Sequence, residues 1–361
     1  MGRFTGEAPG LAFLSIDAGN SHKPYVCMVQ NLDEPLATRV VFNATYAADS
    51  FIAESESIKV FDGRTNQLID SNEFLRRTGH QYKMAGKISI KGSYTAYTFR
   101  GEWDSDTLGG GTFELLNPAM NLVGQPDHFL SWREYKDFLN RALPNIEKVV
   151  FRGQASNQWR LRTSFHRENR YDLGWYWSIV CPALVSRFKT DGINYDLAKP
   201  EDIGSLLCFA QHHGFPTPLL DWTKDPYVAA YFAFEKGPTV VSPNNSCRIY
   251  ILNKTDWTQD TNNGASLADP NPLVSFREFD SKHIPRQVRQ KCLHTFTNIE
   301  DIESWIRLYE SQKQKKYLTT VDIPWSERNL AKPDLRQMNI TADELFLDRD
   351  AMCKTLKEGL F

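Results

Sequence analysis

The sequence lacks the features that mark several special classes of protein. No apolar run approaches the roughly 20 residues that a helix needs to cross a bilayer, and the N-terminus lacks the basic, apolar and small-residue order of a signal peptide. The net charge of −2 over 361 residues gives no general attraction to nucleic acid or membranes. There is no internal repeat, P-loop or dinucleotide-binding glycine pattern. We therefore expect a cytoplasmic globular protein that does not associate with membranes.

The sequence offers few candidate metal ligands. Its six cysteines are scattered and form no Cys-x-x-Cys pair, so a structural zinc site is not expected. Scattered cysteines in a long chain are typical of reduced thiols in a cytosolic protein. His212 and His213 are adjacent, and adjacent residues on a helix point in different directions. The sequence therefore predicts no metal site.

The first third of the chain has the pattern of β-structure. Residues 1–10 are predicted to be a flexible tail, and Gly109-Gly110-Gly111 a loop. Over residues 11–117 we expect an antiparallel β sandwich or barrel that serves as an accessory or interaction domain. The predicted strands alternate apolar with polar residues; they are Leu11–Ile16, Tyr25–Gln30, Arg39–Tyr46, Phe51–Phe61, Gly92–Trp103 and Thr112–Leu116.

A predicted linker at 118–127 contains proline and glycine and precedes a mixed α/β domain over 128–361. Ser131 and Glu134 have the spacing of a helix capping box. The residues from Asn253 to Pro272 are polar and are predicted to form a long exposed loop. Other predicted elements are a strand at 149–151, a helix at 200–213, a strand at 247–252, a helix at 301–315 and a strand at 317–323.

The most informative stretch runs from Gln211 to Phe234. Prolines at 216 and 218 force an extended run after the helix that Gly214 closes. The polar set Asp221-Trp222-Thr223 then follows two apolar residues, and Asp225-Pro226 begins a new helix. Polar groups at the end of a strand and just before a helix N-terminus are typical of a ligand site.

A second candidate region is rich in arginine. Arg152 ends an apolar strand beside Gly153, where a buried guanidinium needs an anionic partner such as a phosphate or carboxylate. The glycine would allow a ligand to approach the backbone closely. The arginines that follow form either a solvated charged face or, with Trp159 and Phe165, a surface for phosphates and stacked bases; they are Arg160, Arg162, Arg167 and Arg170.

Two motifs occur in order along the chain. The first is Phe151-Arg152-Gly153-Gln154 with Trp159-x-Leu161, and the second is Gln211-His212-His213-Gly214-x-Pro216-Thr217-x-Leu219-Leu220-Asp221-Trp222-Thr223. Together they resemble the FRG domain. The later Ile340-Thr341, Leu345-Phe346 and Asp348 are similar to the C-terminal helix of that family. The resemblance spans about residues 127–361.

FRG domains resemble ADP-ribosyltransferases, and the resemblance implies an ADP-ribosyltransferase-like fold with NAD as substrate and no metal. It assigns catalytic roles to Arg152, Asp221, Thr223 and Gln290, the last because the third strand, between Arg286 and Phe296, lacks the usual glutamate. It implies that NAD is bound by Arg152, Gly153, Gln154, His212, His213, Trp222 and Tyr227. From the residues alone, Asp221 could equally cap a helix, and Trp222 could belong to the core.

The resemblance further implies a bacterial toxin or anti-phage effector. The favoured acceptor is nucleic acid, RNA before DNA, bound through Arg160, Arg162 and Arg167; a protein acceptor stays open. The N-terminal β domain would bind an antitoxin or a regulatory protein. Two alternatives remain: a non-catalytic nucleotide-binding protein, and an NAD glycohydrolase that uses water as acceptor.

Overall fold

The computed structural model of the protein combines an antiparallel β-barrel with a second sheet that is flanked by helices. It describes residues 1–6, 9–17, 19, 21, 23–29, 36–63, 65, 67–79, 81, 83–117, 124–142, 145–235, 245–261, 272–279, 289–346 and 349–360. None of the described helices is both long enough and apolar enough to cross a membrane.

The N-terminal strands close into a barrel of eight antiparallel strands, because β1 pairs with both β2 and β8. Alternate residues of these strands point into the barrel and form a core that includes Phe4, Val40 and Phe42. The strands are β1 Gly2–Phe4, β2 Gly10–Ser15, β3 Tyr25–Val29, β4 Leu36–Tyr46, β5 Ser50–Asp62, β6 Ile88–Tyr94, β7 Thr98–Ser105 and β8 Gly109–Leu116. A short helix, α1 (Ser71–Arg77), follows β5.

Three predictions for this region are wrong. The predicted flexible tail contains β1, whose ladder to β8 closes the barrel. The predicted strand Gly92–Trp103 is a hairpin of β6 and β7 that turns at residues 95–97. The predicted glycine loop belongs to β8, because a Cβ on Gly111 would lie 1.9 Å from the main-chain oxygen of Thr5. Closure of the barrel therefore requires glycine within a strand. The same glycines, seen only in the sequence, indicate a turn.

The second sheet has seven strands among the described residues, in the order β13-β14-β11-β10-β12-β15-β9. Its strands are β9 His128–Phe129, β10 Val149–Gln154, β11 Leu219–Thr223, β12 Ser246–Asn253, β13 Val274–Arg277, β14 Cys292–Thr297 and β15 Leu318–Pro324. The helices around it are α2 Trp132–Ala142, α3 Ser164–Arg167, α4 Leu173–Trp175, α5 Cys181–Lys189, α6 Pro200–His212, α7 Pro226–Glu235, α8 Lys254–Asp260, α9 Ile302–Lys313, α10 Arg328–Gln337, α11 Ala342–Phe346 and α12 Arg349–Leu360.

The sheet is nearly divided between β10 and β11. These two central strands share a single Cα pair, Phe151 with Thr223, whereas β10 pairs with β12 along its whole length. On one side of the sheet α2, α7 and α10 pack against β10 and β12, and on the other side α8 and α9 cover the strands. The separation of β10 from β11 leaves an opening between two well-packed halves.

The barrel rests against the second sheet and its helices. The ring of Phe13 on β2 meets Trp305 on α9 edge to face at 5.3 Å. Tyr25 donates a hydrogen bond of 2.7 Å to the main-chain oxygen of Tyr171. Asp17 forms an ion pair of 2.8 Å with Arg170. The contact therefore combines apolar burial with directional polar bonds.

Several predicted elements of the second region are present. The capping box forms, since Glu134 Oε2 accepts from the main-chain nitrogen of Ser131 at 2.8 Å, and α7 begins at Pro226. The loop predicted from Asn253 begins instead with α8, because the side chain of Asn253 caps that helix. Residues 262–271 of that loop lie outside the described residues, as do 118–123 of the linker, residues 286–288 and Asp348.

Candidate functional site

A cleft of about 690 Å³ lies where β10 and β11 separate. This volume is within the range of roughly 300–1,000 Å³ that is typical of small-molecule sites. Residues 151–155 form one wall and residues 221–223 the other, with α7, α11 and the start of β14 around them. Because the strands are apart here, their main-chain groups do not satisfy one another across the gap, and a ligand can reach them.

Arg152 spans this gap. Its Nη1 donates a hydrogen bond of 2.6 Å to the main-chain oxygen of Asp221. The side chain is half-buried, and its Nε is buried without a hydrogen-bond partner among the described residues. Burial lowers the pKa of Arg152, while the nearby Asp221 opposes that shift. A buried guanidinium with an unused donor is a strong site for an anion.

Gly153 lines the cleft, but the structure gives a different reason for this glycine. A Cβ at this position would lie 1.8 Å from the main-chain oxygen of Ala229 on α7. The glycine therefore lets α7 pack directly against β10, and close approach of a ligand to its backbone stays a prediction. The result is that the N-terminal half of α7 is held close to Arg152.

Gln154 presents an acceptor that the described part of the protein leaves unsatisfied. The side chain is 8% exposed and lines the cleft. Its Oε1 is buried and has no hydrogen-bond partner among the residues described. Leaving such an atom unsatisfied costs about 1–3 kcal/mol. A ligand that donates a hydrogen bond here would recover that free energy.

Asp221 is positioned by hydrogen bonds from polar residues that precede it in the same segment of the sequence. Gln211, at the end of α6, donates from Nε2 to Asp221 Oδ1 at 2.5 Å. Thr217, which is completely buried, in turn donates to Gln211 Oε1. The extended run with Pro216 and Pro218 places Thr217 between the helix and β11. The chain Thr217–Gln211–Asp221 thus fixes a carboxylate that is 52% exposed toward the cleft.

Asp221 also belongs to a cluster with two residues of β14. The register of the ladder places Asp221 opposite His294 and Thr223 opposite Cys292. His294 Nε2 lies 3.3 Å from Asp221 Oδ1 and 3.7 Å from Cys292 Sγ. Burial disfavours the charged imidazole, but Cys292 and Asp221 outweigh it and raise the pKa of His294 to about 10. Burial raises the pKa of the Cys292 thiol.

Most of the arginines after β10 are already neutralised. Arg160 binds Asp301 at 2.6 Å, Arg162 pairs with Glu300, and Arg170 pairs with Asp17. Among the described residues Arg167 forms no ion pair, although its Nη1 donates to the main-chain oxygen of Arg162 at 2.9 Å. The predicted basic surface is therefore reduced at this cleft to Arg152 and Arg167.

Of the three aromatic residues predicted for this region, two are buried and one is exposed to a ligand. Phe165 is buried and has no face available for a base. Trp159 is 56% exposed at the edge of the cleft. The ring of Trp222 is 2% exposed and packs against Phe276 at 5.9 Å, so it offers no stacking surface to a ligand.

Thr223 and Gln290 lie at the cleft and bond to each other. Thr223 Oγ1 donates to the main-chain oxygen of Gln290 at 2.7 Å, and Gln290 Nε2 donates to the main-chain oxygen of Leu345 at 3.2 Å. These bonds connect β11, the residues before β14 and α11. Both side chains therefore help to shape the cleft, and the catalytic roles predicted for them stay predictions.

Three predicted NAD-binding residues are not part of the cleft. His212 and His213 lie at the C-terminal end of α6, where the ring of His213 packs against Phe209 at 4.6 Å. Tyr227 is half-buried on α7, and its ring lies 6.2 Å from that of Trp132. The histidine pair therefore ends a helix, and the residue that reaches the site from this motif is the preceding Gln211.

Sequence reasoning missed four groups at this site. Gln211 and Glu235 were not predicted, nor were Cys292 and His294 of β14. The pattern Cys-x-His on a predicted strand was the available signal, because residues two apart on a strand share a face. Glu235 lines the cleft, but its carboxylate is bound by Lys354 at 2.5 Å.

Residues 147–240 match the family model of the FRG domain. The family predicted from the two motifs is thereby confirmed, over a shorter range than the resemblance suggested. The match contains Arg152, Gln154, Gln211 and Asp221, but it ends before β14. Comparisons with curated proteins and with solved structures found no match to this chain.

Proposed function

We propose that the protein is an NAD-dependent ADP-ribosyltransferase that binds NAD in the cleft between β10 and β11. The observation that carries this proposal is the position of Arg152 in the opening of the sheet, with an unused buried donor. The order of elements supports it as well. The elements follow the order that the FRG resemblance implies: a strand with arginine, a strand that leads into a helix of small residues, and a third strand. On this basis we also propose an ADP-ribosyltransferase-like fold.

The charges of the cleft suit the diphosphate of NAD. Arg152 and Arg167 both line it, and neither forms an ion pair within the described part of the chain. Arginine is well suited to phosphate because its planar fork donates several parallel hydrogen bonds. The cleft volume of about 690 Å³ accommodates a ligand of dinucleotide size that remains partly exposed.

Gln154 adds a polar group deeper in the cleft. Its unsatisfied Oε1 can accept from the nicotinamide carboxamide or from a ribose hydroxyl. A site with one unsatisfied acceptor discriminates strongly against ligands that lack the matching donor. This supports a nucleotide with hydroxyl and amide donors over a simple anion.

Asp221 is our candidate for charge stabilisation. When the bond between ribose C1′ and the nicotinamide nitrogen breaks, positive charge develops on the ribose and the electron pair leaves with nicotinamide. A fixed carboxylate beside C1′ stabilises that charge. Three other carboxylates line the cleft, and each is held in an ion pair with lysine or arginine: Glu235, Glu300 and Asp301.

The cleft edge supports a nucleic-acid acceptor. Trp159 is exposed there and presents a flat face on which an unpaired base can stack. Arg167 is exposed nearby and can bind a phosphate. We propose RNA before DNA, because recognition of unpaired bases is the usual mode of specific RNA binding.

A second candidate is a nucleotide-binding protein without catalysis. One observation favours it: β14 presents Cys292 and His294 beside the cleft, where the resemblance implies a glutamate. In this case the cleft binds NAD or a related nucleotide as a signal. The two candidates differ in whether nicotinamide is released.

The test uses NAD labelled in the adenylate half, incubated with the protein and, separately, with RNA, DNA and a cell lysate. The transferase predicts label on one class of acceptor and loss of that label in Arg152→Ala. Free ADP-ribose without a labelled acceptor indicates hydrolysis. NAD binding without any cleavage indicates the binding protein. Arg133→Ala is a matched control, because Arg133 is an exposed arginine on α2 that does not line the cleft.

A further inference from the structure

Three side chains of different chemistry converge at the floor of the cleft. A carboxylate oxygen of Asp221, the thiol sulfur of Cys292 and a ring nitrogen of His294 all lie within 4.8 Å of one another. They come from adjacent strands, and the ladder register of β11 and β14 places them on one face. The groups are carboxylate, thiol and imidazole, the three donor types that zinc takes in proteins.

The arrangement differs from that of a nucleophile triad. In such a triad the imidazole uses its two nitrogens separately, one toward the nucleophile and the other toward the carboxylate. Here Asp221 Oδ1 and Cys292 Sγ both approach Nε2, at 3.3 and 3.7 Å. Convergence on one nitrogen is the geometry of ligands around a common centre.

The two distances from His294 match edges of a zinc tetrahedron. Zinc bonds of about 2.0 Å to oxygen or nitrogen and about 2.3 Å to sulfur give edges of about 3.3 Å between nitrogen and oxygen and about 3.6 Å between nitrogen and sulfur. The corresponding separations from His294 Nε2 are 3.3 Å to Asp221 and 3.7 Å to Cys292. The ligand atoms of Asp221 and Cys292 lie within 4.8 Å of each other, so a side-chain rotation that shortens this edge to about 3.6 Å would complete the set.

The surroundings also fit a metal site. Gln211 donates to Asp221 Oδ1 at 2.5 Å and is itself held by Thr217, so the carboxylate is oriented by hydrogen bonds behind it. His294 is 3% exposed. Cys208 on α6 also lies near His294, but its sulfur is 3.7 Å from Nδ1 and 3.6 Å from Nε2. The Cys208 sulfur is therefore about equally distant from both ring nitrogens of His294.

We propose that Asp221 Oδ1, Cys292 Sγ and His294 Nε2 bind one zinc ion whose fourth position opens into the cleft. Asp221 and Cys292 both line the cleft, whereas His294 is buried behind them, so the open side of the ion faces the cleft. Three protein ligands with one open position are typical of catalytic zinc sites. This proposal differs from the expectation of no metal that the sequence alone gave.

This inference goes beyond the proposed function and does not depend on it. Zinc binding is measured without NAD or an acceptor. A protein that binds zinc but not NAD would support the metal site and overturn the transferase. A protein that cleaves NAD but binds no zinc would support the transferase and overturn the metal site.

The first experiment measures the zinc content of the untagged full chain by mass spectrometry after gel filtration. We expect about one zinc ion per chain. Cys292→Ser and His294→Ala should each reduce the content at least tenfold. Cys208→Ser is the matched control, since it removes a buried thiol beside the same histidine, and it should retain zinc.

The second experiment uses Co²⁺ as the only added metal, after removal of zinc with a chelator. Wild type should give the visible bands of tetrahedral cobalt with a thiolate charge-transfer band, and Cys292→Ser should lose the charge-transfer band. If circular dichroism shows that a variant does not fold, the cobalt spectrum of the wild type and the zinc content of Asp221→Asn still test the proposal. A folded wild type that binds neither metal, or equal zinc in wild type and Cys292→Ser, would overturn the proposal and leave an ion pair of Asp221 with His294.

Discussion

The Nη1 atom of Arg152 on β10 lies 2.6 Å from the main-chain oxygen of Asp221 on β11. The two strands share only the pair Phe151 and Thr223, so this bond crosses the gap at the point where they separate. It uses one donor of the guanidinium and leaves the buried Nε without a hydrogen-bond partner among the described residues. A ligand bound by Arg152 would therefore lie where the two halves of the sheet separate.

Gly153→Ala tests the packing that positions Arg152. The added Cβ would meet the main-chain oxygen of Ala229 at 1.8 Å, and neither backbone can yield unless α7 moves away from β10. We expect the free energy of unfolding to fall by about 2–4 kcal/mol, as in overpacked cores. Gly124→Ala is the control, because a Cβ there meets no heavy atom within 4 Å. Urea denaturation of both variants measures the difference, and equal stability would refute the packing argument.

Gln154→Met separates stability from ligand binding. Methionine is similar in volume and has no unsatisfied acceptor, so the free energy of unfolding should stay level or rise by about 1 kcal/mol. Affinity for NAD should fall about tenfold, because the hydrogen bond to the ligand is lost. Thermal denaturation and calorimetric titration check the two effects. A variant with lower stability and unchanged affinity would show that Gln154 is a structural residue.

Gln211→Ala tests how Asp221 is positioned. Gln211 donates to Asp221 Oδ1 at 2.5 Å and receives a hydrogen bond from Thr217. Without it, the carboxylate loses its fixed orientation, and we expect the turnover of NAD to fall about 10- to 100-fold with little change in its binding. Gln158→Ala, an exposed glutamine at the cleft edge, is the control. A loss confined to NAD affinity would contradict a positioning role.

Asp127 should contribute stability that depends on pH. Burial would raise the pKa of this carboxyl, but hydrogen bonds from Lys316 and Thr320 outweigh burial and lower its pKa to about 2. The unfolded pKa is about 3.9, so the contribution is complete above that pH and is lost as the pH falls toward 2.

With a discount for partial exposure, Asp127→Asn should lower the free energy of unfolding at pH 7 by about 1–2 kcal/mol. The difference from wild type should shrink as the pH approaches 2. Urea denaturation at pH 7, 4 and 2.5 measures this, with the exposed Asp49→Asn as control. A difference that does not change with pH would mean that the hydrogen bonds of Asp127 do not depend on its charge.

Local signals predicted much of the second sheet and its helices. The capping box of Ser131 and Glu134 and the Asp225-Pro226 helix start involve residues that are neighbours in sequence, and both are present. The same holds for the helix that ends before Gly214. Arg152 and Asp221 were both predicted as site residues, because each is a charged residue at the end of an apolar run. Such signals depend on short-range chemistry, which a sequence displays directly.

The features that the sequence did not predict depend on residues that are far apart in the chain. Arg160 is neutralised by Asp301, which lies 141 positions away, so the sequence alone left it as a free cation. His294 meets Asp221 only through the register of β11 and β14. The glycines of β8 resemble a loop until the barrel closes against Thr5. Each of these facts is set by tertiary structure, which overrides local pattern.

The most direct test of the central claim is the release of nicotinamide from NAD by the purified full chain, in the presence of RNA and with zinc supplied. We expect release by wild type and by Arg133→Ala, and at least a hundredfold lower rate in Arg152→Ala, because the anion-binding donors at the gap are lost. No release by a folded wild type, or release that is unaffected by Arg152→Ala, would contradict it.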